Sequence, residues 1–202
     1  ARAVMALSPP VAATLRARGF APVLGHHPPF VFGPPGPPPR AHGGVPRLLC
    51  FGRLLPYKGL DLLAAALRLP HPPLAVRVVG QGPESADLAA LRALPGVAVE
   101  NRWVPETEIA ALLGWADALV LPYREASQSG VAAAALAAGR MVVATDIGGL
   151  GGQLAAEPNA LLCSPTAESL AAALARLPTH PLRPSPPRPG WTDLAARLRA
   201  AL

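Results

Sequence analysis

Apolar residues along this chain follow two rhythms. Short continuous runs such as RLLCF, LAVRVVG, ALVLPY and MVVAT alternate with longer stretches in which apolar positions recur every three or four residues. The runs predict strands at 47–51, 74–80, 97–103, 118–123, 141–145 and 160–163. The spaced stretches predict helices carried by Leu88, Leu91 and Leu94, by Ile109, Leu112 and Leu113, and by Leu170, Ala173, Leu174 and Leu177. A strand apolar at every position is covered on both faces, and strands alternating with helices build a parallel sheet. The expected fold is α/β, a doubly wound parallel sheet.

Both flanks of this region read differently. AVMAL predicts a short buried strand; SPPVAATLRARG predicts a helix with Ser8 at the N-cap, Pro9 at the first helical position and Gly19 as the stop; APVLG predicts a second strand. Together they form a partial β-α-β element over 1–27. Proline then dominates 28–44, which excludes helix and sheet and marks a stiff linker. A second proline-rich connector, 178–190, precedes 191–202, where Trp191, Leu194, Ala195, Leu198 and Leu202 share one helical face. That amphipathic helix needs a docking surface.

The chain has 202 residues, enough for one good-sized domain plus a fragment of another but not for two full α/β domains. Its apolar fraction of 51% is largely alanine, with only 4% aromatic residues, so helices are expected to pack closely. No apolar run reaches the roughly 18 residues that span a bilayer, because Asp117, Arg140 and Asp146 interrupt the best candidates. A cytoplasmic protein is expected. The net charge of +6 is scattered, without a basic run, which argues against nucleic acid. It favours anionic ligands or anionic lipid headgroups, and so allows peripheral contact at the inner face of a membrane. Cys50 and Cys163 lie in apolar strands without a C-x-x-C partner and read as buried free thiols.

In an open parallel sheet, ligands bind beyond the carboxyl ends of the strands, where the strand order reverses. The loops there are GRLLPYKGLD, GQGPES, REASQSGV and DIGGLGGQ. Glycines would let backbone approach a ligand, and a helix opening with Ser-Gly offers free N–H groups to an anion. GQGPES is only a partial dinucleotide fingerprint, since its last glycine is missing. Neither a Walker A sequence nor a cluster of metal ligands is present, so no metal and no cofactor are expected; His26 and His27 read as loop residues. Of 18 basic residues one is lysine, Lys58, and Arg53 precedes it in the same loop. An arginine fork grips two oxygens while an ammonium is a compact point charge, and together they suit a diphosphate.

FGRLLPYKGLDLL, VVGQGPE, ADALVLPYREASQSGV and AAGRMVVATDIGGL, in this order and spacing, resemble the donor-binding half of GT-B glycosyltransferases. The nearest group is the retaining family 4 with the "glycosyl transferases group 1" domain. The resemblance implies a Rossmann-like donor domain over 45–177 for a UDP- or GDP-sugar, transferred with retention and without a metal to a glycan or lipid acceptor, as in cell-envelope polysaccharide synthesis. It further implies that 1–27 is the end of an N-terminal acceptor domain otherwise missing from this chain, and that 191–202 is the closing helix. By the same resemblance Arg53 and Lys58 hold the donor diphosphate, Glu125 substitutes for the family glutamate that touches the sugar or ribose, and Gly52, Gly80, Val104, Gln128, Ser129, Gly130 and Val131 bind the donor.

Departures from the family are visible too. Its E-x7-E pair would fall on Ala126 and Ala134, with Glu125 one residue off the first place, and Gly152 stands where a glutamate is common. Gln128 and Ser129 are then expected to take over contacts of the missing pair. A hexosyltransferase-like enzyme incomplete as this chain is the leading expectation; the alternative is a non-catalytic nucleotide-sugar-binding module or inactive fragment.

Overall fold

A strand buried on both faces must divide its apolar side chains between two layers of helix, and the computed structural model shows this division. It describes residues 4–25, 27–28, 30–33, 39–187 and 189–201. The flanking element comprises β1 (Met5–Ala6), α1 (Pro9–Ala17) and β2 (Val23–Leu24). The main body runs β3 (Arg47–Phe51), a 3₁₀ turn (Pro56–Lys58), α2 (Leu60–Ala66), β4 (Ala75–Gly80), α3 (Ala86–Arg92), β5 (Val97–Asn101) and α4 (Glu106–Trp115). It continues through β6 (Ala118–Leu121), α5 (Gly130–Ala137), β7 (Met141–Thr145), α6 (Gly148–Leu154), β8 (Ala160–Cys163) and α7 (Ala167–Arg176). The last element is α8 (Trp191–Arg199).

Six strands form one sheet in the order β5-β4-β3-β6-β7-β8, every neighbouring pair parallel. Leu48, Cys50, Val76, Val78, Val120 and Val143 point to a layer with Leu63, Leu88 and Leu170 of α2, α3 and α7. Their chain neighbours Leu49, Val79, Leu119, Leu121, Val142 and Ala144 point to the other, with Leu113, Ala135 and Leu150 of α4, α5 and α6. Alternation along each strand thus feeds two cores, which is why the sequence reads as unbroken apolar runs. Ala132, Ala133, Ala134 and Ala135 of α5 are all buried, so small side chains let this helix lie close on the sheet. Both thiols are buried and unpaired, and burial pushes each up to about 11.

Two strands end sooner than the apolar runs predict. β6 stops at Leu121 because Pro122 has no N–H to continue the ladder. β5 stops at Asn101, whose side chain turns to the backbone of Gly82, accepting from its N–H and donating to its carbonyl, both at 3.0 Å. Ser8 does precede α1 with extended backbone, but its hydroxyl makes no capping bond. With Pro9 and Pro10 opening the helix, one of the N–H groups it would reach is missing.

β1 and β2 pair in parallel with each other and form a separate two-stranded sheet. α8 has an amphipathic stripe, yet none of its residues is buried. Trp191 packs against Phe30 and His27, with ring centroids 5.3 and 6.3 Å apart, and Leu194 approaches Gly25 so closely that a Cβ there would lie 2.6 Å from it. Trp191 remains 52% exposed. Leu202, placed by the sequence on the same stripe, lies outside the described residues, as does His26.

Leu63→Ala, in the core beneath α2, should cost about 2–5 kcal/mol of unfolding free energy. Leu198→Ala, on the open face of α8, should cost no more than about 0.5 kcal/mol. Urea unfolding of the two variants beside wild type checks both.

Candidate functional site

The carboxyl ends of β3 and β6 lie side by side where the strand order reverses. Gly52 leaves β3, and the 3₁₀ turn brings Lys58 back toward the sheet. Gly59 ends this turn in the left-handed region, φ 65°, and starts α2. A Cβ on Gly59 would sit 1.8 Å from the carbonyl oxygen of Pro122, so no other residue allows the two loops to touch. That contact lets the Arg124 N–H donate to the Tyr57 carbonyl at 2.8 Å, and the Arg124 guanidinium pairs with Asp61 in the first turn of α2.

Lys58 therefore enters a nearly closed niche and is only 8% exposed. Its ammonium donates to the Tyr123 hydroxyl at 2.5 Å, 4.0 Å from the centroid of that ring and 5.4 Å from that of Tyr57. Burial pushes the Lys58 pKa down to about 8; the nearby Cys50 thiol raises it and Arg53 lowers it further. Tyr123 is driven above its ordinary value by burial, against the lowering effect of the nearby Ser129 side chain. Arg53 stays exposed and donates to the Tyr57 hydroxyl at 3.4 Å.

Ser129 caps α5, its hydroxyl accepting from the Ala132 N–H at 3.1 Å. Gln153 of α6 grips the backbone of Ser129 from the other side: its carbonyl accepts from the Ser129 N–H at 2.8 Å and its amide donates to the Ser129 carbonyl at 2.9 Å. The Ser129 N–H is thus occupied, which corrects the expectation that it faces an anion. The N–H groups of Gly130 and Val131, which a helix start leaves without intrahelical partners, remain for one.

These groups surround a cavity of about 960 Å³. Gly52, Arg53, Lys58, Glu125, Gln128, Ser129, Gly130 and Val131 line it on one side, and Pro10, Val11 and Thr14 of α1 on the other. Gly80 and Val104 do not line it. A Cβ on Gly80 would lie 1.7 Å from the Gly52 carbonyl oxygen, so Gly80 supports the floor of the Gly52 loop from behind. Val104 packs at the margin of the core shared with α4 and α5. Gly148 and Gly149 likewise admit the backbone of Ala126 and Ser127, where any Cβ would lie about 2 Å from a carbonyl oxygen. Several glycines read as room for a ligand thus serve contact between loops. Sequence reasoning missed Tyr57, Tyr123, Gln153 and the α1 residues. Tyr123 sits in the quoted LPY, but nothing in a linear pattern says which way its ring turns.

Comparison with known proteins agrees with this architecture. The family described as glycosyl transferases group 1 matches residues 45–180. A D-inositol 3-phosphate glycosyltransferase of Jonesia denitrificans is 38% identical over 124 residues, covering 55% of this chain and 29% of that protein. A glycogen synthase of Mycobacterium tuberculosis is 36% identical over 132 residues, covering 62% and 32%. Among solved structures, a lipopolysaccharide outer core galactosyltransferase aligns with a TM-score of 0.73 at 18% identity, covering 91% of this chain and 54% of that one. Sucrose-phosphate synthase of Thermosynechococcus elongatus aligns at 0.69 with 24% identity, covering 87% and 48%. At these identities the structural likeness speaks for the fold. The chain spans about a third of the curated relatives and about half of the solved chains.

The buried ammonium has a signature in stability. Below about pH 8 both folded and unfolded Lys58 are charged, and the burial penalty is fully present. Between about 8 and 10.5 the unfolded state holds more proton, so the penalty fades as pH rises. Lys58→Met should therefore be more stable than wild type by about 1–3 kcal/mol at pH 7. That advantage should shrink as pH climbs from 8 to 10.5, as read from urea unfolding across the range.

Proposed function

Because the chain belongs to the glycosyl transferases group 1 family, we propose that residues 45–177 bind the donor of a sugar transfer, a UDP- or GDP-sugar, at the cavity between β3, β6 and α5. The observation that carries this reading is the convergence of Lys58, Arg53 and the free N–H groups of α5 on one cavity. Transfer breaks the bond between the sugar C1 and a diphosphate oxygen and forms one to an acceptor oxygen, whose proton leaves to solvent. Negative charge grows on the departing diphosphate. An ammonium in a low-dielectric niche, a guanidinium and a helix N-terminus are fixed charges and dipoles aimed at that place, and they do this work without a metal. Retention at C1 and a contact of Glu125 with the sugar belong to the same proposal.

The acceptor, a glycan or a lipid-linked one, is read by a preceding domain of which 1–27 is the end. Three features support this: β1, α1 and β2 form a sheet of their own, α1 faces the cavity across from α5, and Trp191, Phe30 and Phe20 keep about half of their surface exposed. The protein acts in the cytoplasm, with peripheral membrane contact allowed by its net positive charge; no described helix is long and apolar enough to cross a membrane. One observation favours a second reading, a module that binds donor without transfer: Ala126, Ala134 and Gly152 stand where the family's carboxylates are expected.

Calorimetry with UDP, GDP and ADP, with and without chelator, tests the donor site. At least one should bind, unaffected by chelator. Lys58→Ala and Arg53→Ala should each weaken it by about 1.5–3 kcal/mol, and Lys58→Arg should recover part of the loss. Absence of binding, or binding lost with chelator, overturns the reading. Binding without transfer, even after an upstream acceptor domain is supplied, selects the second.

A further inference from the structure

Lysine has a flexible four-carbon stem and a strongly hydrated head, so presenting it at one fixed point requires a partner. We propose that Tyr123 is the positioning residue of the donor site: its hydroxyl and ring hold the Lys58 ammonium in place beside the start of α5. This rests on the diphosphate reading above.

The groups facing the ammonium are few. Cys50 lies in β3 behind it, Arg53 and Tyr57 belong to the loop after β3 and Tyr123 to the loop after β6, whose Arg124 and Glu125 line the same cavity. Arg124 is paired with Asp61, and no described carboxylate forms an ion pair with Lys58. Among the described residues the Tyr123 hydroxyl is the side-chain acceptor for Nζ, and the ring face beside it supplies a cation–π contact at 4.0 Å. An ammonium has three N–H donors. One is spent on Tyr123, which leaves two for phosphate oxygens in the cavity.

Tyr123 is itself held from two further sides. The Thr145 hydroxyl of β7 donates to its carbonyl at 2.6 Å, and the Ser129 side chain lies beside its phenol. Ser129 also caps α5. Tyr123 therefore stands between the ammonium of the turn after β3 and the start of α5, two anion-binding elements from separate loops that line the same cavity.

The single lysine of the 202-residue chain makes the test direct, since lysine labelled with 13C and 15N yields one Nζ and one Cε signal. In wild type Lys58 should titrate near pH 8. Tyr123→Phe removes the hydrogen bond that favours the charged form but keeps the ring, so the midpoint should fall by about 0.5–1 pH unit. UDP or GDP affinity at pH 7 should fall about tenfold, and the alkaline edge of binding should move down with the midpoint. Tyr123→Leu, lacking the ring as well, should fall further; if it does not fold, Tyr123→Phe decides alone. An unchanged Lys58 midpoint and affinity in Tyr123→Phe, with Lys58→Ala still weakening binding, overturns the proposal. If wild type binds no nucleoside diphosphate, the donor reading fails, while the lysine titration still decides whether Tyr123 holds Lys58.

Discussion

An ammonium kept out of water next to a cavity is the arrangement on which the centre of this molecule depends. Burial disfavours its charge, as the lowered Lys58 pKa records, and the niche offsets this with one phenol oxygen and a ring face rather than with a carboxylate. A carboxylate would neutralise the charge that an anionic ligand needs. The niche exists only because the turn after β3 and the loop after β6 meet backbone to backbone, which Gly59 permits. A guanidinium is wider, planar and always charged, so an arginine-rich chain has reason to keep one lysine for this place, while the exposed Arg53 needs no such niche.

The α5 terminus is held by neutral groups. Gln153 pairs with both backbone polar groups of Ser129, fixing where the helix begins without adding charge. Ala134 is buried in the core beneath α5, among apolar side chains. A glutamate at that position would need a partner or a proton in such surroundings. The absence of a carboxylate at this position therefore suits the packing of this helix, and Gln128 and Glu125 are polar side chains that the adjoining loop brings to the cavity.

Outside the six-stranded sheet the structure is held more lightly. The two-stranded β1–β2 sheet carries α1 to the mouth of the cavity, and α8 leans on Gly25 after β2 through Leu194 and on His27 and Phe30 through Trp191, while keeping most of its apolar stripe in solvent. Elsewhere the linker is fastened by polar groups. Asp117 accepts from the Arg47 N–H at 2.8 Å, from Arg40 N–H and from His42 at 2.9 Å, and the Arg40 guanidinium bonds the carbonyls of Pro178 and His180 at 2.7 and 2.9 Å. Burial would push the Asp117 carboxyl up, but these three donors hold it below its ordinary value. Linker and connector are thus fastened at the amino ends of the central strands β3 and β6, the end opposite the cavity.

Much of the fold could be read from periodicity alone. An apolar run without alternation admits only a strand covered twice, and six such runs separated by helical spacing leave little besides a parallel doubly wound sheet, with its ligand loops at the carboxyl ends. Arg53, Lys58 and the Ser129–Val131 start of α5 were legible for the same reason, because each sits in one of those loops, while Glu125 was picked out only by the family resemblance. What the linear pattern could not carry was direction and distance between loops far apart in sequence. Whether a glycine opens room for a ligand or for another loop depends on what stands opposite, as Gly59 against Pro122 and Gly80 against Gly52 show. Whether a tyrosine completes a strand or turns its hydroxyl onto a lysine 65 positions away is decided by packing. A single chain records which residues are present in each loop; only the folded sheet, by bringing β3 beside β6, decides which of them touch.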